Sequence, residues 1–146
     1  MSKSNTFEND LLQLIFNNVD IADIGDSGGL QNSATAGSLY IALHTADPGE
    51  AGTAATSEAT YTNYARVAVA RTVGGWTVSG NSATNASQIT FPQCCASGNT
   101  ITHVSITTAS SGTSKILYSG ALNSSLAVAL NITPLFAASG LTVTED

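Results

Sequence analysis

The chain has 146 residues, ten of them Asp or Glu against four Lys or Arg, for a formal charge of -6. That balance excludes a basic surface for holding phosphate, and with it a nucleic-acid-binding role. Ala, Thr, Ser, Gly and Asn supply 82 residues whereas Leu, Ile, Val and Phe supply 33, just above the roughly 20% below which disorder is expected, so a thin core is expected.

At 14.8 kDa the chain is expected to form one domain that buries about two thirds of its surface. No apolar run approaches the ~20 residues of a membrane helix, and the first five residues lead into no signal-type stretch, so neither membrane insertion nor signal-directed export is expected. The two cysteines, Cys94 and Cys95, are neighbours that cannot join distant segments, which fits folding in a reducing cytoplasm.

In chain order, residues 6–18 read as the one good helix. Phe7, Leu11 and Ile15 recur at spacings of four, Leu12 and Val19 extend the stripe, and Asn5 with Glu8 three residues on resembles a capping box. A helix of this length is marginal alone and must dock on its own chain or on a neighbour. Residues 21–37 carry four glycines with acids and Ser or Asn and read as a loop, so deletion through Ala36 is expected to leave the body folded and weaken assembly.

From Leu39 the period drops to two. Leu39, Ile41 and Leu43, then Val67 and Val69, then Val104 and Ile106 alternate with small or polar residues, the pattern of half-buried strands. Gly74-Gly75 between β-formers predicts a two-residue hairpin turn. Further strands are expected at 88–91, 114–122, 125–130 and 140–144, with Pro92 and Pro134 at corners. The expected fold is mainly β: an antiparallel β-sandwich of about seven to nine short strands in one domain, with an N-terminal helix over 1–20, a Gly/Asp-rich loop over 21–37 and the body over 38–146.

Eight of the ten carboxylates lie within the first 58 residues and the next is Glu145, so the body lacks the carboxylate pair that glycoside hydrolysis needs. His44 and His103 sit in strand patterns without the partners of a zinc or catalytic site, and no Gly-x-Ser-x-Gly elbow occurs. Asp20, Asp23 and Asp26 do not match a calcium loop. No catalytic residue, cofactor or metal is expected. The three glycosylation sequons, at Asn85, Asn123 and Asn131, are what chance supplies in a chain this rich in Ser and Thr.

The runs Leu-Tyr-Ile-Ala-Leu-His-Thr-Ala-Asp-Pro-Gly-Glu-Ala-Gly at 39–52, Glu58, Tyr-Thr-Asn-Tyr-Ala-Arg-Val-Ala-Val at 61–69 and Gly-Trp-Thr-Val-Ser-Gly-Asn at 75–81 follow one another in order. They continue in Ile-Thr-Phe-Pro at 89–92, Leu-Tyr-Ser-Gly-Ala-Leu at 117–122, Ile-Thr-Pro-Leu-Phe-Ala-Ala at 132–138 and Leu-Thr-Val-Thr at 141–144. Together they resemble the small tail fibre proteins of tailed bacteriophages and prophages from Leu39 to the end, with the 21–36 loop longer than usual. The resemblance implies a virion structural protein of the tail fibre that carries no catalytic residues. Its expected partners are other copies of itself, most simply in a two-fold dimer, other tail fibre or adaptor proteins, and a bacterial surface glycan. A capsid decoration protein and a carbohydrate-binding module are the competing classes.

Within these segments Arg66 is expected to pair with Asp47, Glu50 or Glu58 and fasten the loop after the first strand, since opposite charges are so scarce. Trp76 reads as packing in the core or between subunits. Tyr61, Tyr64 and Tyr118 join Trp76 as candidates for an interface or receptor contact. Asp47-Pro48-Gly49-Glu50 fits a type II turn.

Overall fold

The computed structural model describes residues 1–146 and divides them into two compact units. The first comprises Met1–Ser38, Val69–Ile89 and Phe136–Asp146; the second comprises Leu39–Ala68 and Thr90–Leu135. One helix, α1 (Asn5–Asn17), precedes nine strands: β1 (Ser38–His44), β2 (Val67–Ala70), β3 (Trp76–Ser79), β4 (Ser82–Asn85), β5 (Ile89–Thr90), β6 (Asn99–Thr107), β7 (Ile116–Val128), β8 (Leu135–Phe136) and β9 (Thr142–Thr144). The protein is mainly β and antiparallel, with its one helix at the N-terminus, as the alternation predicts. The strands form a four-stranded sheet of order β2-β1-β6-β7, a three-stranded sheet β3-β4-β9 and the pair β5-β8.

In the first unit, Ser4 caps α1 with its hydroxyl accepting from the Phe7 amide, one residue before the Asn5 cap that the sequence suggested. Ser, Asn and Thr at 4–6 all make good caps, so composition alone does not choose among them. Asn18 takes the left-handed conformation at φ +57 and ends the helix. The buried stripe is Glu8, Leu12 and Phe16, rotated from the expected Phe7, Leu11 and Ile15, and Val19 is exposed. What turns the helix is Trp76 on β3: the Phe16 ring lies 4.6 Å from the Trp76 ring at 55°, and neither side chain reaches solvent. The helix therefore docks on its own chain and completes the core of this unit. Deletion through Ala36 would strip Trp76 of that cover, which reverses the expectation of a folded truncation.

Gly74-Gly75 is not a hairpin turn, because β2 and β3 belong to different sheets and neither glycine has positive φ. Gly75 is small for another reason: a Cβ there would stand 2.1 Å from the Ala70 carbonyl oxygen. The hairpin is β3-β4, closed by Gly80-Asn81 between the paired Ser79 and Ser82, with Gly80 at φ +59. Asn85, wholly buried, then fastens the end of β4. Its side-chain nitrogen donates to the Ser87 and Ala137 carbonyls at 2.8 and 2.7 Å, and its Oδ1 accepts from the Leu141 amide at 2.8 Å. The 21–37 segment is closed by a bridge between Ile21 and Leu30, while Asp26 Oδ1 accepts from the Gly28 and Gly29 amides.

In the second unit, β1 pairs with β6 in register from Tyr40 opposite Thr107 to His44 opposite His103. Of the apolar positions read from the alternation, Leu39, Ile41, Leu43, Val104 and Ile106 are buried and Val67 and Val69 on β2 are half-buried. The two strands expected at 114–122 and 125–130 are one 13-residue strand, β7. Between the pairs His103 with Ala121 and Ile101 with Leu126, β7 advances five residues against two on β6, so Leu122–Ser125 is a bulged excursion within the strand and not a loop. Pro92 and Pro134 stand just outside β5 and β8, as corner prolines should.

Because Trp76 is the only tryptophan, its fluorescence reports the docking of α1. Phe16→Ala is expected to destabilise the protein by about 3–5 kcal/mol in urea denaturation and to shift Trp76 emission to the red before the main transition. An unchanged midpoint and emission would mean that α1 is not part of the core.

Candidate functional site

The densest polar network of the second unit is built around Arg66, which lies just before β2 and is 8% exposed. All five N–H donors of a guanidinium need acceptors when buried, and here all five have them. Nε donates to Glu58 Oε1 at 2.6 Å and Nη2 to Glu58 Oε2 at 2.8 Å, a bidentate pair. Nη2 also donates to the Gly112 carbonyl at 2.7 Å, and Nη1 donates to the Ala109 carbonyl and Ser114 Oγ at 2.9 and 3.1 Å. The hydrogen bond to Glu58 is the main cause that raises the Arg66 pKa, keeping the side chain charged. Tyr64 extends the network by donating to Glu58 Oε1 at 3.1 Å while its oxygen accepts from the Leu43 amide at 3.0 Å. Burial pushes the Tyr64 phenol well above its ordinary value, so it stays a donor. The guanidinium thus joins the 58–66 segment to the turn between β6 and β7, and Tyr64 carries the network on to β1.

Of the three acids named as partners for Arg66, the structure brings Glu58 to it; Asp47 and Glu50 lie exposed in the turn after β1, where Asp47 Oδ1 accepts from the Gly49 amide. Gly49 has φ +69, as the third place of a type II turn requires. Tyr61 is buried, its ring 5.2 Å from Tyr64 and edge-on, with its hydroxyl donating to the Pro92 carbonyl at 2.9 Å; burial pushes its pKa up to about 12. Trp76 lies inside the first unit under Phe16. Tyr64 and Tyr118 are half-buried, Tyr118 on β7 opposite Ile106.

Two positions were not legible as important. Arg71 belongs to the first unit, where its Nε donates to the Ile15 carbonyl at 2.7 Å, Nη2 to Leu14 at 2.6 Å and Nη1 to Ala36 at 3.2 Å. Leu14 and Ile15 are among the last carbonyls of α1, which has no basic residue in its own last turn, so Arg71 supplies the positive group from across the fold. The second is the pair His44 and Ser105, with Nε2 to Oγ 2.7 Å and Nδ1 to the Thr56 carbonyl 2.9 Å. A carbonyl only accepts, so Nδ1 carries the proton and Nε2 accepts from Ser105. The spacing is that of a nucleophile and its base, but His44 and Ser105 are 0% and 1% exposed, and Ser105 Oγ is not presented to any substrate. No three His, Cys, Asp or Glu side chains group as metal ligands, and no helix is long and apolar enough to cross a membrane.

The architecture is therefore one of fastened loops and buried polar ties. A family of proteins described as podophage GP4 fiber I protein gp80 matches the chain over residues 2–144. The chain belongs to this phage tail fibre family. None of the curated proteins matches it. As a phage fibre protein it is a component of the virion, and the matched span takes in α1, both units and the Arg66 network alike.

Replacing Arg66 with Met leaves Glu58 and two turn carbonyls without their partner and is expected to cost about 2–4 kcal/mol in denaturant titration; Arg66→Lys, which cannot form the bidentate pair, should recover only part of that. A loss under 0.5 kcal/mol would show the network to be dispensable. A second test uses pH. Burial holds the His44 pKa below its ordinary 6.5, against opposing contributions from the Thr56 carbonyl and Glu58. The unfolded chain then binds the proton more readily, so stability present above pH 6.5 is lost as pH falls below it. His44→Gln is expected to flatten the stability curve between pH 7 and 5; equal slopes for the two proteins would refute the assignment.

Proposed function

We propose that this protein is a structural subunit of the tail fibre that associates with copies of itself and with other fibre or adaptor proteins, and so places the virion at the host surface. The observation that carries this reading is the fiber I family match over residues 2–144. The chemistry of the fold supports it: charged residues make up 10% of the chain, against about a quarter in an ordinary soluble domain, which suits a protein whose surface is partly covered by neighbours. In this reading the subunit works without catalysis, cofactor or metal ion, and is made in the host cytoplasm before incorporation. In this reading the half-buried Tyr64 and Tyr118 are the aromatic candidates for contact with another chain or a glycan, while Tyr61 and Trp76 are buried. Since the chain passes four times between its two units, neither is a continuous stretch of sequence, and we take them as one cooperative domain.

Gold-labelled antibody raised against the purified protein is expected to mark the tails of phage particles that carry it and to block their adsorption to host cells. Label confined to the capsid shell would overturn the fibre reading in favour of a decoration protein.

A further inference from the structure

The two edges of the four-stranded sheet are built differently. One is β2, four residues long and flanked by Arg66 and Arg71. The other is β7, thirteen residues from Ile116 to Val128, preceded by the exposed Lys115 but with no charged residue and no proline within it. Natural sheets blunt an open edge with short strands, lysines, prolines and inward charges, and apart from its bulges β7 has none of these. Its side chains are also uncovered: from Ser119 to Ala127 none is buried, while Ile101, Val104 and Ile106 on the adjacent β6 are. A Cβ added at Gly120 would meet nothing within 4 Å, so the strand is open on that side as well.

We propose that β7 is the docking edge for a second copy of this chain, the two β7 strands pairing antiparallel across a two-fold axis in the stretch before the Leu122–Ser125 excursion. This rests on the reading of the protein as a self-associating fibre subunit and names the surface by which it associates. The occupant follows from charge. Two copies of a chain at -6 repel one another, and an antiparallel pairing of identical strands sets each residue against one from the other half of the same strand. Only a strand without charge avoids like-charge opposition at every register, and β7 is such a strand. A basic partner, by contrast, would find no carboxylate along β7. The main-chain groups of Tyr118–Ala121, the regular stretch between the two irregularities of the strand, are the ones offered to a partner for pairing. The small side chains Ser119, Gly120 and Ala121 let the backbones approach, and the two four-stranded sheets become one of eight.

The test is sedimentation equilibrium on the full chain and on two double variants, Ser119→Lys with Ala121→Lys and Ser119→Glu with Ala121→Glu, all four substitutions at exposed positions. The wild type is expected to be dimeric at micromolar concentration, each variant to dissociate at least tenfold more readily with an unchanged circular dichroism spectrum, and an equimolar mixture of the two variants to form the dimer again. A wild-type oligomer that both variants retain overturns the β7 assignment and leaves the self-association reading standing. A wild type that stays monomeric at high concentration overturns both.

Discussion

The Arg66 guanidinium decides the shape of the second unit because its demands are rigid. It cannot lose its proton, its donors point in one plane, and once it is 8% exposed each must find an acceptor. Glu58 answers two of them, Ser114 one and the turn carbonyls of Ala109 and Gly112 the others, so the 58–66 segment and the β6-β7 turn hold one another through the same side chain. The first unit repeats the device with Arg71 at the end of α1. Two of the four cations in the chain, Arg66 buried and Arg71 half-buried, are thus held by several oxygens each, main-chain carbonyls among them. In a chain so rich in Ala, Ser and Thr the apolar core is thin, and such fixed polar ties select one arrangement of the loops from many of similar packing.

What could be read in the sequence and what could not divide along physical lines. The strands β1 and β6 were legible because large apolar residues alternate there with small or polar ones, even though Ala42, His44, Ser105 and Thr107 on the other face are buried too. The Glu58 partner of Arg66 was among three acids named because so few carboxylates exist; the carbonyls of Ala109 and Gly112 were invisible, since every residue has a carbonyl. The helix face was misread by one residue because Leu11 with Leu12, and Ile15 with Phe16, offer two overlapping stripes, and only Trp76 across the interface chooses between them. Gly74-Gly75 misled because a glycine required for space looks the same in sequence as one required for positive φ. Asn85 was set aside as part of a chance sequon, and nothing local marks it as the buried tie between β4 and the 137–141 segment.

The long edge strand was misread for a related reason. Asn123-Ser124-Ser125 has the composition of a loop, and in a central strand, paired on both sides, such an excursion would break two ladders. On β7 it disturbs only the pairing with β6, so the strand continues through it. Tolerance of that bulge and openness to a partner have one origin, the absence of a neighbour on the outer side.

The charge distribution gives the open edge its direction. Eight carboxylates lie in the first 58 residues, with Glu145 and Asp146 at the far end, and none falls between, where β7 lies. Copies of the chain approaching through their acidic segments meet repulsion that salt screens only beyond about 8 Å, whereas copies approaching through β7 meet none along the strand. On the proposed reading, the carboxylate-free stretch that contains β7 is where two acidic chains touch. A fibre subunit needs such a preference more than it needs high affinity, because an open strand that accepted every register and every neighbour would aggregate.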